Sequence, residues 1–174
     1  MFIPGWLISI VTFPGVIVHE IAHRVFCDLA KVPVYDICYF RFGNPAGYVS
    51  HGEVNGIKNS FLISIGPLII NSLLCMLLTI PLIFPMFILG AETTSPVFGI
   101  LAWIGFSIGM HAFPSNHDMN NFTHEVKVSK QKGILYLIAL PFALMVKIAN
   151  LLSVVWFDLI YAGGISFILP MILL

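Results

Sequence analysis

At 174 residues, 59% of them hydrophobic and only 9% charged, with a mean hydropathy of +0.99, the chain lies far from the balance of a soluble domain. Its formal charge is zero and neither sign runs in a block, which leaves no basis for a nucleic acid or an acidic ligand as partner. The expected class is an all-α integral membrane protein with about four to five transmembrane helices and a small β-hairpin between the first and second.

A spanning helix needs about 20 mostly apolar residues. The first such stretch is expected from about Ile3 to Phe26, with Pro4 at its start and a kink at Pro14. It lacks the basic segment of a secretory signal and is read as retained structure. Next, "VPVYDICYFRFGNPAGYVSHGEVNG" alternates aromatic or β-branched residues with polar ones around the turn signal "GNPAG", which predicts a β-hairpin. Asn44, Pro45 and Gly47 suit an adaptable gate and an ordinary turn equally well. Inside a bilayer, such a segment needs its backbone shielded by protein or facing a wet cavity.

The second helix is charge-free from Asn59 to Ala91, with Pro81 and Pro85 distorting its far end, and the third runs from about Val97 to Phe113. From Ile134 to Leu174 the chain forms either two helices or one long bent helix followed by a short one. Within it Lys147 is expected to snorkel, and Asp158 to lie at an interface or a helix N-terminus. No repeat or linker divides the chain. It reads as one domain, 1–174, with a core over 1–125 and C-terminal membrane helices over 134–174. Cys27, Cys38 and Cys75 form no CxxC pair and read as packing residues.

Charge predicts orientation. Arg24, Lys31, Arg41 and Lys58 fall at or in the first connection and Lys127, Lys130 and Lys132 in the third, while the "AETTSP" connection has no base. Seven of the eight basic residues therefore share one side, which the positive-inside rule makes cytoplasmic. The expected protein is multi-pass, with its N-terminus outside and its polar cluster toward the cytoplasm.

That cluster, "HEIAH" at 19 to 23, is an HExxH sequence. On a helix His19 and His23 stand one turn apart on one face, so two imidazoles reach a single ion, and Glu20 beside them is placed to take a proton from a water on the metal. With one zinc ion (Zn2+), such a site supports metal-assisted hydrolysis, most plausibly of a peptide bond. The bland alternative is a Glu20–Arg24 ion pair at i, i+4, with interfacial histidines.

A third protein ligand is required. The metzincin extension fails because Leu29 stands where a third histidine would fall. His51, Glu53, His111, His117, Asp118, His124 and Glu125 remain, whereas topology removes Glu92 to the opposite side. "GMHAFPSNHDMNNF" delivers His111, His117 and Asp118 together as a helix ends. Asp118 is the favoured ligand, although Ser115 to Asp118 also fits an S-x-x-D capping box. His117 and His124 read more simply as solvated loop residues. His111 fits the cavity wall, donating a hydrogen bond to a developing oxyanion, better than it fits the metal.

In their order, "HEIAH", the predicted hairpin, "GPLIIN" at 66 to 71 and Asp118 resemble the site-2 protease family of intramembrane zinc metalloproteases, over about residues 1 to 125. The resemblance implies zinc on His19, His23 and Asp118, Glu20 as general base, and Asn71 holding the substrate strand or its carbonyl. It also implies cleavage within or near a transmembrane segment of a membrane-protein substrate that is locally unwound, with β-addition of the unwound strand to the hairpin. Two departures mark a divergent, minimal member. Three residues separate the Gly-Pro pair from Asn71 where the family usually has two, a rotation of about 100° on a helix. Asp118 follows His117 rather than the usual leucine, which keeps His117 and His111 as alternative ligands. No nucleotide-binding segment fits so short a chain. The competing functions are a membrane metal-ion transporter or sensor, motivated by six histidines in a hydrophobic chain, and an inactive protease-like scaffold.

Overall fold

The computed structural model describes residues 4–88, 95–128, 133–168 and 172. Helices α1 (Gly5–Val11) and α2 (Phe13–Leu29) lead into antiparallel strands β1 (Val34–Cys38) and β2 (Tyr48–His51). Then follow α3 (Ile57–Ile88), α4 (Pro96–Met110), α5 (Asn116–Val128), α6 (Ile134–Leu152) and α7 (Phe157–Gly163), which continues as a π-helical turn over Gly164–Ile168. Glu92, Lys130, Lys132 and most of the "AETTSP" connection lie outside the described residues.

The expected first helix is two helices, bent by 91°. Pro14 has no N–H to continue the α1 ladder and instead opens α2, a position that tolerates proline. The Thr12 hydroxyl donates to the Ile8 carbonyl at 2.7 Å beside its own amide, which reaches the same oxygen at 2.8 Å, and the backbone leaves the helix at Thr12 with φ −110° and ψ 32°. The C-terminal stretch resolves into α6 and α7, separated by a 3-10 turn at Ser153–Val155 and by Trp156 in the left-handed region. Asp158 lies in the first turn of α7.

Two segments, Ile57–Leu82 and Ile134–Val155, are long and apolar enough to cross a membrane, and the bent pair α1–α2 makes a third if taken together. Helix α4 and the segment Phe157–Ile168 are apolar but shorter, so fewer helices have spanning length than the sequence suggested. Their surfaces are apolar too. Ile134, Leu137, Leu144 and Leu151 of α6 are 75, 71, 61 and 72% exposed, while Ala139, Ala143 and Val146 of the same helix are buried. A helix apolar on both faces suits lipid outside and protein inside.

Close approach of α2 to α4 sets the centre of the fold. A Cβ on Gly15 would run into the Ser107 carbonyl and lie 2.7 Å from the His111 ring, so only glycine lets these backbones meet. Ile57 of α3, Met119, Phe122 and Val126 of α5, and Ala139, Phe142, Ala143 and Val146 of α6 form one core that holds α5 in place. The hairpin lies alongside α2. Val34 and Val49 pack with Cys27 and Val32 near the C-terminal end of α2, and Phe40 reaches Phe13 at its start, with ring centroids 5.7 Å apart.

Gly15→Ala is expected to force α2 from α4 and lower stability by about 1–3 kcal/mol. Gly99→Ala, whose methyl meets no heavy atom within 4 Å, should be neutral. Thermal melts of the two variants in detergent check this, and equal melting temperatures would refute the close approach.

Candidate metal centre

His19, Glu20 and His23 come from successive turns of α2 and are all buried. Asp118 arrives from the first turn of α5. The Nε2 atoms of His19 and His23 are 3.2 Å apart, and Asp118 Oδ2 lies 3.3 Å from His23 Nε2 and 3.9 Å from His19 Nε2. A tetrahedral zinc with bonds of about 2.0–2.2 Å holds its ligand atoms about 3.3–3.6 Å apart, close to these separations. Among the described residues this is the one group of three histidine, cysteine or acidic side chains placed to share an ion.

The hydrogen bonds fix which atoms face inward. His19 Nδ1 lies 2.8 Å from the His111 carbonyl, which can only accept, so Nδ1 carries the proton and Nε2 offers its lone pair to the site. Such an outward bond from a metal-binding histidine orients the ring. Burial by itself would raise the Asp118 carboxyl, but His23 and His19 in their protonated form hold it well below the usual carboxylate range, and a divalent cation in place of their Nε2 protons would supply the same positive charge. Imidazole lone pairs converging on an ionised carboxylate suit a divalent cation.

Asp118 serves two purposes with one oxygen. Its Oδ2 accepts from the Ser115 amide at 2.8 Å and the Ser115 hydroxyl at 2.7 Å, while Ser115 Oγ accepts the Asp118 amide at 3.2 Å. The capping box is real, and it aims the carboxylate at the histidines. The Glu20–Arg24 ion pair of the alternative reading is absent among the described residues, where Arg24 pairs with Asp28 at 3.2 Å.

Glu20 instead lines a cavity of about 630 Å³ together with His19, His23 and Asp118. Pro45, Ala46, Gly47 and strand β2 form one wall, and Asn150, Trp156 and Asp158 belong to another. Gly47 lies directly over Glu20, where an added Cβ would be 2.7 Å from Glu20 Cγ and 3.1 Å from the Tyr39 carbonyl. A second cavity of about 510 Å³ shares His23, His51 and Asp118 and contains Glu53, His124 and Glu125.

The other candidates do not join the group of His19, His23 and Asp118. His117 and His124 are exposed on α5, and Glu125 accepts the Gly56 amide at 2.9 Å. The His111 ring lines the cavity, but its Nε2 lies 2.7 Å from the Thr12 hydroxyl, whose proton already goes to Ile8. One ring nitrogen is thus held against Thr12 while His111 stands in the cavity wall, the place expected for it. Asn71 is fully buried and does not line the cavity; its amide nitrogen faces the carbonyls of Gly15, Ile108 and His111. Sequence reading missed three contributors. Ser115 was visible only as a cap and Gly47 only as a turn residue, while the His111 carbonyl, being main chain, left no signal.

Metal analysis should find about one zinc per chain in the wild type, loss of zinc in His23→Ala, and affinity at least tenfold weaker in Asp118→Ala. Wild-type affinity in Asp118→Ala would remove it as a ligand. No family model matches the chain, and neither a curated protein nor a solved structure matches it.

Proposed function

We propose that the chain is a multi-pass, membrane-embedded zinc endopeptidase similar to the site-2 proteases, which hydrolyses peptide bonds within or near transmembrane segments of other membrane proteins. The observation that carries this reading is the convergence of His19 and His23 with Asp118, almost a hundred residues along the chain, beside the buried carboxylate of Glu20. Apolar helices with apolar outer faces support the bilayer setting. The basic residues support a cytoplasmic placement of the site, with the N-terminus outside.

Zinc held by the three side chains would supply Lewis acidity, lowering the pKa of a coordinated water to about 7 and polarising the scissile carbonyl. The chain's own residues divide the remaining work. Glu20 takes the proton of the attacking water on its carboxylate and returns it to the departing amide nitrogen. Strand β2 pairs with β1 along one edge and lines the cavity with Tyr48 to His51, so an extended substrate segment can add along its other edge. Gly47 brings the hairpin onto Glu20 and narrows the space in which water and substrate meet.

Purified protein reconstituted with a panel of single-span model substrates tests the reading. Glu20→Gln is expected to keep its zinc and lose cleavage by at least about a hundredfold. Cleavage at the wild-type rate by that variant would end the proposal. Gly47→Ala should bind zinc normally yet show kcat/KM reduced about tenfold or more, because the added methyl displaces either Glu20 or the hairpin. Unchanged kcat/KM would separate the hairpin from the chemistry.

A further inference from the structure

We infer that Asn71 is a positioning residue for His19, acting through the main-chain carbonyl of His111; this rests on the metal-centre reading. That one carbonyl oxygen accepts His19 Nδ1–H at 2.8 Å and Asn71 Nδ2–H at 2.9 Å. The same Asn71 nitrogen lies 3.2 Å from the Ile108 carbonyl and 3.4 Å from the Gly15 carbonyl. Asn71 on α3 thus reaches the end of α4 and, at Gly15, the turn of α2 that precedes His19.

Helix α4 stops at Met110, so no later turn of the helix supplies an amide for the His111 carbonyl. Its direction is set instead by the groups that donate to it. With His19 as sole donor, peptide and imidazole turn together and the Nε2 lone pair loses its aim. Asn71 fixes the peptide against two helices and leaves the ring one hydrogen-bonded orientation. The amide is the right way round, because the reverse flip would press Oδ1 against three carbonyl oxygens. The cost is visible on its other side, where Oδ1 is buried without a partner. Leucine has nearly the same size and would leave no such acceptor, so what asparagine adds here is its grip on the carbonyls.

The Asn71 side chain faces the α2–α4 contact, away from the cavity.

Zinc affinity of the full chain in detergent, measured by chelator competition, gives the first test, with the visible spectrum of the cobalt-substituted protein as the second. Asn71→Leu is expected to weaken zinc binding about 10- to 100-fold and to alter the cobalt spectrum while helical content stays the same. Asn71→Asp, which keeps the shape, must also lose affinity and serves if the leucine variant does not fold. Wild-type affinity with an unaltered spectrum in either folded variant overturns the inference. Failure of both to fold even with zinc present overturns it in favour of a purely structural residue. Absence of zinc from the wild type defeats the metal-centre reading itself, a result distinct from these.

Discussion

The His111 carbonyl is the point on which the candidate centre depends. It joins the end of α4 to a histidine of α2 and an asparagine of α3, and it can do so only because Gly15 lets α2 and α4 come into backbone contact. If the helices moved apart, the His19 ring would lose its acceptor and the two imidazoles would no longer share a focus with Asp118. An interior of low dielectric magnifies this dependence, because a buried polar group without its partner is costly. Packing of small residues and orientation of ligands are therefore one constraint.

Polar side chains in these apolar helices fall into two kinds. Thr79 and Ser107 donate back to carbonyls four residues earlier, which satisfies each within its own helix. His19 and Asn71 bond beyond their own turn of helix, and Asp118 reaches the histidines of α2 besides its cap at Ser115, so these three gather elements distant in sequence. The first kind is neutral baggage in an apolar setting, whereas the second determines how the helices sit together. The core around Phe122 and Phe142 supports this arrangement by locking α5, and with it Asp118, against α3 and α6.

Apolar run length and turn chemistry made much of the fold legible. The hairpin, α3 and the split C-terminal region followed from them, with ends displaced by a few residues. The 91° bend did not follow, because Pro14 was equally compatible with a shallow kink; the non-helical backbone of Thr12, at φ −110° and ψ 32°, is a local event that composition does not rank. In the site, His19 and His23 were legible from a spacing of four. Asp118 was legible twice, as cap and as ligand, and those descriptions looked exclusive until one oxygen was found to serve both. Asn71 and His111 were noticed for their side-chain chemistry, but both matter through a peptide carbonyl that no residue letter encodes.

The sharp turn at Thr12 also changes how the molecule meets lipid in the proposed bilayer setting. Once α1 is folded aside, α2 has 17 residues and α4 has 15, lengths of about 25 and 22 Å against a hydrocarbon core of about 30 Å. The apolar run of 26 residues in α3 extends about 39 Å. Acyl chains beside α2 and α4 must shorten or splay while those along α3 need not, so the protein imposes an uneven hydrophobic thickness on its surroundings. In that setting a thinned annulus would lie beside the helix that carries His19 and Glu20, drawing headgroups and their water toward the proposed hydrolysis, which would consume water.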